Sequence, residues 1–196
     1  MGVWTKAALM AAAALFGASA LAEPVGRTSA VRPSATQTAP GAGAAVMRVN
    51  DAVMRNSALE TTGSGALEVI FADNSKLSLG PNSNAVIDEF VYAGPGNPAG
   101  AQTLKYTKGV FRFVSGAIPP EKVKVQTPAV TIGIRGTEFR VFVQGDGGTY
   151  IAAIQHNVFF VTNSGKIGVV PQGSSIFISA SGEPGPVTEG TTLPCD

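Results

Sequence analysis

The sequence predicts an all-β fold, a rolled or solenoid-like domain of short antiparallel or mixed strands, with a two-sheet β-sandwich as the alternative. Two observations support it. Short runs rich in Val, Ile, Phe, Thr and Tyr recur along the chain, each bounded by Gly, Pro, Asn or Asp. A unit of strand, polar turn, strand, Pro-containing turn and strand also occurs twice, as VIFADNSKLSLGPNSNAVI from Val69 and FFVTNSGKIGVVPQGSSIF from Phe159.

The two copies of this unit align without gaps at an offset of 90 residues (159 minus 69). The matched pairs include Lys76 with Lys166, Leu77 with Ile167, and Leu79 with Val169. Such repetition favours a coiled or rolled sheet with stacked turns, although two copies are too few to establish a solenoid.

The individual strands follow from alternation and β propensity. They are predicted at 66–71, 76–79, 85–92, 103–106, 109–115, 122–126, 130–134, 137–143, 150–155, 157–162, 166–170 and 175–180. The segment GDGG at 145–148 predicts a tight hairpin, since Gly and Asp tolerate positive φ. One helical candidate, 44–59, has Val residues at partly helical spacing but suits strand and loop equally well.

Both ends of the chain differ in composition from its middle. Residues 1–22 have the pattern of a signal peptide, with Lys6, an apolar run and a cleavage site after Ala22, which predicts a periplasmic or secreted protein. Residues 23–45 and 182–196 are rich in small residues and Pro, so we expect a flexible leader and a flexible tail around a domain at 46–181. The start of the leader, 25–31, could still dock as an edge strand.

Charge and cysteine content narrow the function classes. The whole chain has 14 basic and 13 acidic residues, and loss of Lys6 with the signal would leave 13 of each. This balance predicts no binding of nucleic acid or of anionic membranes, and no later apolar run is long enough for stable membrane insertion. Cys195 is the only cysteine, so no disulfide can form within the chain. We interpret it as an exposed bystander, with a disulfide to another chain as the alternative.

The side chains needed for catalysis or cofactor binding do not form a recognisable pattern. His156 is the only histidine, and its position between Gln155 and Asn157 is typical of a surface turn. There is no Gly-x-Ser-x-Gly elbow and no glycine-rich phosphate loop, and the acidic residues occur in turns without the spacing of a calcium loop. The sequence therefore predicts no enzymatic activity, no catalytic residues, no cofactor and no metal.

One strand is interrupted in an informative way, in TPAVTIGIRGTEF at 127–139. Before Arg135 the apolar residues occupy even positions, and after Gly136 they occupy odd positions. Because side chains in a strand alternate with period two, this change of parity predicts a bulge or a sharp corner at Arg135-Gly136. Arg135 would act as a structural clamp there, with Glu138 as its local partner, and Arg135→Ala should reduce stability before it affects any ligand.

These residues also carry a family resemblance. Thr127, Pro128, Arg135, Gly136, Thr137, Glu138 and Phe139 are similar to the FecR domain signature, a Thr-Pro pair followed by Arg-Gly-Thr-Glu/Asp-Phe. The upstream ALEVIFADNSKLSLGPNSNAVI and the strand GVFRFVSG also resemble that family, so the similarity covers about residues 60–145. FecR itself is a membrane-spanning regulator of iron-citrate uptake genes that relays a signal from an outer-membrane transporter to a sigma factor. We expect this chain to share the exported β module of the family. We do not expect it to control a sigma factor directly, because a cleavable signal stands where FecR has its cytoplasmic domain.

Two functions follow from this resemblance as hypotheses. The first is an exported FecR-like module that binds another envelope protein by strand addition, in sensing or signal relay. The alternative is a structural or glycan-binding scaffold protein of the envelope without a signalling role.

Overall fold

The computed structural model describes residues 23–95, 97, 99–134 and 136–195, so the predicted signal segment lies outside the described residues. Apart from a single 3-10 turn at Pro120–Lys122, the regular structure of the described part is β. No helix in this part is long and apolar enough to cross a membrane. The strands are β1 Pro24–Arg32, β2 Ala35–Thr38, β3 Ala44–Val46, β4 Ala52–Met54, β5 Ala58–Thr61, β6 Ala66–Phe71, β7 Lys76–Leu79, β8 Asn84–Val91, β9 Ala101–Val114, β10 Val123–Gln126, β11 Val130–Ile134, β12 Glu138–Val143, β13 Thr149–Gln155, β14 Val158–Thr162, β15 Ile167–Val170, β16 Ser174–Ile178 and β17 Thr188–Glu189.

The strands form two layers that share one long strand. Sheet 1 has the order β4-β1-β6-β7-β9-β12-β13-β16-β17. Sheet 2 has the order β3-β2-β5-β8-β9-β10-β11-β14-β15. All these pairings are antiparallel except β9 with β10, so the predicted mixed, rolled all-β fold is confirmed.

The shared strand β9 changes sheets at Gly109. Its first half pairs with β8 and β10 in sheet 2, and its second half pairs with β7 and β12 in sheet 1. Gly109 has φ +104, and a Cβ added there would lie 2.4 Å from Ser83 Cα. Only glycine fits this bend. Because the chain bends at Gly109 without leaving the strand conformation, the two strands predicted at 103–106 and 109–115 form one continuous strand.

A single apolar core lies between the two layers, because each strand turns every second side chain inwards. Its largest fully buried members are Tyr106, Phe71, Phe111, Phe113, Phe139, Leu59, Leu67, Leu77, Leu79, Ile87, Leu104 and Ile118. Both halves of β9 contribute to it, and the rings of Tyr106 and Phe111 stack with centroids 4.0 Å apart across the bend. The core therefore fixes how the two sheets face each other.

The two copies of the sequence repeat form similar hairpins in the structure. The structural match between the hairpins differs by one residue from the sequence alignment. The hairpin β6-β7 lies in sheet 1 and is followed by β8 in sheet 2, whereas β14-β15 lies in sheet 2 and is followed by β16 in sheet 1. The positive-φ turn residues are Asn74 and Gly165, an offset of 91 (165 minus 74). Since a shift of one residue exchanges the faces of a strand, Ile167 is 80% exposed whereas its predicted counterpart Leu77 is buried.

The predicted flexible leader, 23–45, is wrong. Residues 24–32 form β1, which pairs with both β4 and β6, and β2 and β3 follow it in sheet 2. Val25 and Ala35 are buried in the core. Composition misled the prediction because residues with small side chains still form the backbone hydrogen bonds of a strand. The neighbouring strands supply most of the apolar surface.

The predicted flexible tail, 182–196, is also wrong for its described residues. Gly185 donates its N–H to Phe177 O at 2.8 Å, β17 pairs with β16, and Leu193 is only 2% exposed. The segment 44–59 contains β3, β4 and the start of β5, so the strand-and-loop alternative holds there and the helical one does not.

Tyr106 yields a testable prediction. Its hydroxyl is buried with no hydrogen-bond partner among the described residues, and burial raises the pKa of the phenol well above its ordinary value. Tyr106→Phe should therefore stabilise the protein by about 1 kcal/mol at neutral pH, because it removes an unsatisfied buried group. The unfolded wild-type chain loses the phenolic proton from about pH 10 upwards while the folded chain retains it, so wild-type stability falls there by up to about 1.4 kcal/mol per pH unit.

Chemical denaturation of both proteins at pH 8 and pH 11 would measure this effect. We expect the stability advantage of the Phe variant to widen at pH 11. A variant that is less stable than wild type at pH 8, or an advantage that does not change with pH, would contradict the assignment.

Candidate functional site

The family motif begins with a turn shaped by Thr127. Its Oγ1 accepts hydrogen bonds from the N–H groups of Ala129 (3.3 Å) and Val130 (3.2 Å), and it contacts Thr149 Oγ1 at 3.0 Å. A Cβ on Gly147 would lie 3.1 Å from Pro128 Cβ, so the Thr-Pro turn packs on the predicted 145–148 hairpin. These contacts tie the start of β11 to the connection between β12 and β13.

The middle of the motif carries the chain from sheet 2, where β11 ends at Ile134, to sheet 1, where β12 begins at Glu138. Gly136 has φ +58. Thr137 is buried, its N–H donates to Ser115 Oγ at 2.6 Å, and its hydroxyl donates to Gln155 O. The buried positions change from even to odd across this crossing.

The end of the motif joins the core. Phe139 is fully buried and its ring lies 5.7 Å from that of Phe113, centroid to centroid. Glu138 Oε1 accepts a hydrogen bond from Arg112 Nε at 2.8 Å, which forms an ion pair between β12 and β9. Arg135 lies outside the described residues, so its predicted clamp role stays a prediction.

Gly136 provides a test of this corner. A Cβ added there meets no atom within 4 Å, so the penalty of Gly136→Val comes from the left-handed backbone alone. We expect a loss of about 2 kcal/mol in the free energy of unfolding, and less than about 1 kcal/mol for Gly136→Asn, since Asn tolerates this region. Equal losses in urea denaturation would contradict the backbone explanation.

The upstream turn of the resemblance, Asp73 to Ser75, is a buried polar cluster whose role the sequence did not reveal. Asp73 Oδ1 accepts hydrogen bonds from Ser75 N–H (3.0 Å) and Ser75 Oγ (2.6 Å), and Asp73 Oδ2 accepts one from Ile118 N–H (3.3 Å). A Cβ on Gly116 would lie 2.3 Å from Asp73 O, so only glycine allows this loop to approach the turn. The cluster fastens the end of β9 to the β6-β7 hairpin.

The structure places His156, the single histidine of the chain, and the potential metal ligands of its described part. His156 lies exposed in a turn with φ +57, and its N–H donates to Gln172 Oε1 at 3.3 Å. The described residues contain no group of three or more His, Cys, Asp or Glu side chains that could hold a metal ion.

The most apolar exposed surface lies on the β14-β15 hairpin. Val161 and Ile167 are directly opposite each other, and Val169 follows two residues later on the same face. All three are exposed, by 45%, 80% and 39% respectively. The sequence repeat aligned Ile167 and Val169 with Leu77 and Leu79, which are buried, and so gave no indication of this surface.

Comparisons with known proteins agree with this fold. The model of the family FecR protein matches residues 57–158. Two crystal structures of a candidate anti-sigma factor from Parabacteroides distasonis ATCC 8503, at 2.50 and 1.65 Å resolution, match with TM-scores of 0.52 and 0.51 and 11% identity. The matches cover 68% of this chain and 60% of those chains, so they show a shared fold alone. A comparison with curated proteins finds no match.

Proposed function

Because the chain belongs to the FecR protein family, we propose that it is an exported protein-interaction module of the bacterial cell envelope that acts in sensing or signal relay. The regulatory character of the family and the anti-sigma-factor description of the similar structures support the signalling part. Export is supported by the signal-peptide pattern of residues 1–22. The specific partner site that we propose is the outer edge of β15.

The edges of the two sheets differ in how they are protected. The outer strands β3 and β4 are only three residues long. The edge of β16 is covered by the C-terminal segment, in which Pro184 and Pro186 prevent further pairing. Only β15 combines an uncovered edge, within the described part of the chain, with a flanking apolar surface.

The hydrogen-bonding groups of β15 point in the required direction. Thr162 N–H donates to Lys166 O at 2.8 Å, which identifies 162 and 166 as a bonded pair of the hairpin. Since bonded and non-bonded pairs alternate in an antiparallel ladder, the peptide groups of Ile167 and Val169 point away from β14. They are available to an added strand.

The same two residues would supply side-chain contacts. Ile167 and Val169 lie on one face, so an added strand with apolar residues at alternate positions would cover both of them. Lys166 forms an ion pair with Glu183 of the C-terminal segment, and Pro171 has no N–H, so the site is limited to about residues 167–170. A short extended segment of another protein fits these features.

Site-specific photocrosslinking in cells tests this function. A photoreactive amino acid at Ile167 should give a discrete adduct with another envelope protein, identified by mass spectrometry. The matched control is Val46, which is 65% exposed on the short edge strand β3 and should give none. Absence of an adduct at 167, or the same adduct at both positions, would contradict the proposal.

Val169→Pro provides an independent check. Proline removes one outward N–H of β15 while the bonds of Phe160 and Val158 to this strand remain. The adduct at Ile167 should be lost while the melting temperature changes little. An adduct that persists would exclude strand addition as the mode of binding.

A further inference from the structure

A row of three aromatic rings crosses the outer face of sheet 1. Phe142, Tyr150 and Phe177 are direct cross-strand neighbours on β12, β13 and β16. The ring centroids of Phe142 and Tyr150 are 6.1 Å apart, and those of Tyr150 and Phe177 are 4.5 Å apart. All three side chains are half-buried, so part of each ring remains open to a ligand.

The C-terminal segment runs beside this row, and a cavity opens at each end of the row. One cavity, of about 380 Å³, is lined by Tyr150 and Phe177 together with Leu193 of the tail. The other, of about 470 Å³, is lined by Phe142 with the side chains of Lys108 and Gln144. Leu193 is 2% exposed and so anchors the tail at the border of the first cavity.

We propose that these two cavities form a binding groove for an oligosaccharide that carries carboxylate groups. The rings pack partly on one another, and the parts of their faces that stay uncovered are partially negative and attract the polarised C–H groups on the apolar side of a sugar ring. Asn82, Gln144, Thr188 and Thr192 also line the cavities and offer amide and hydroxyl groups to sugar hydroxyls. The row spans roughly 10 Å at the spacing of neighbouring strands, which suits a disaccharide.

Charge determines which kind of sugar fits. Lys108 is the only charged residue among the described residues that line either cavity, and it is exposed. No ion pair within the described part of the chain involves it. With Lys108 as the charged residue among these lining residues, a sugar that bears a carboxylate is favoured over a neutral one.

A peptide partner fits this groove less well than a sugar. The neighbouring sheet edge is already paired, since Gly185 N–H donates to Phe177 O and Gly190 N–H donates to Gly173 O, both at 2.8 Å. Strand addition is therefore blocked here, in contrast to β15, and a ligand must be held by side chains. This proposal does not depend on the β15 site.

Calorimetric titration of the purified chain tests it with two probes of equal length. The first is a peptide-free glycan strand of alternating N-acetylglucosamine and N-acetylmuramic acid, which carries carboxylates, and the second is a neutral chito-oligosaccharide. We expect saturable binding of the first probe and weaker binding of the second. Failure of the first probe to bind, or equal binding of both, would overturn the proposal.

Three variants locate the site. Tyr150→Ala should weaken binding of the acidic glycan about tenfold, while Tyr150→Phe, which keeps the ring, should bind like the wild type. Lys108→Gln should weaken binding of the acidic glycan about threefold and leave the neutral probe unchanged. Wild-type affinity in Tyr150→Ala, or equal losses for both probes in Lys108→Gln, would overturn the groove or its charge preference.

Two further measurements distinguish glycan binding in this groove from an effect on folding and from binding at the β15 edge. When the wild-type protein is titrated with the acidic glycan, the amide NMR shifts should concentrate at residues 142, 150 and 177. Because this measurement uses the wild-type protein, destabilisation of a variant cannot affect it. Ile167→Ala should leave glycan binding unchanged, because β15 lies at the edge of the other sheet. Shifts confined to the β14-β15 hairpin would overturn the proposed location.

Discussion

Gly109→Ala is expected to lower the free energy of unfolding by about 4 kcal/mol or more. Two penalties combine at this bend of β9. The backbone has φ +104, which L side chains rarely adopt, and the new Cβ would lie 2.3 Å from Ser83 Oγ and 2.4 Å from Ser83 Cα. The Ser83 backbone cannot move freely, because Ser83 N–H donates to Thr61 Oγ1 at 3.0 Å.

Gly94→Ala is the matched control for Gly109→Ala. Gly94 has φ +101, yet a Cβ there meets nothing within 4 Å. It should therefore lose only the backbone part, about 1–2 kcal/mol. Urea denaturation of both variants measures the difference, and similar losses would show that the close approach to Ser83 is unimportant.

Asp73→Ala should have the second largest effect, a loss of about 3–5 kcal/mol. The carboxylate is fully buried, and its removal leaves the Ser75 N–H and the Ile118 N–H without their side-chain acceptor, while the Ser75 hydroxyl keeps only the long contact of 3.4 Å to Gln102 Oε1. The loop from Gly116 to Ile118 should then detach from the turn. Faster hydrogen exchange at the Ala117 and Ile118 amides would report this directly.

Asp146→Ala serves as the control for Asp73→Ala. Asp146 occupies an exposed turn, where its Oδ1 accepts one hydrogen bond from Gly148 N–H at 2.9 Å. Its removal should reduce stability by about 1 kcal/mol or less, because water can replace the lost acceptor. A comparable loss in the two variants would mean that burial of Asp73 contributes little.

These contacts give the family motifs a structural meaning. Thr127 shapes a turn, Thr137 bonds Ser115 and Gln155 where the chain changes sheets, and Phe139 fills the core. The proposed partner edge on β15 lies outside the matched segment, which ends at residue 158. We infer that the motifs specify the fold, whereas the residues that determine partner specificity lie outside the segment that contains the motifs.

Alternation and turn residues were sufficient for much of the fold. The bounds of β6, β7 and β11 were predicted correctly, as was the Asp146-Gly147 hairpin turn. The parity change in the motif matches the change of the buried positions from even in β11 to odd in β12. These features depend on local backbone preferences and on the side-chain period, both of which are determined by residues close together in the sequence.

Only the tertiary structure decided which segments join the sheets and which faces remain open. Composition suggested that β1 and the C-terminal segment would be flexible, yet both are held by backbone pairing with distant strands. A one-residue difference in turn geometry at Gly165 places Ile167 and Val169 on the outer face, although their spacing matches that of a core strand. Period two shows that one face of a strand is apolar, but which face lies against the core depends on hairpin register and on partners far away in sequence.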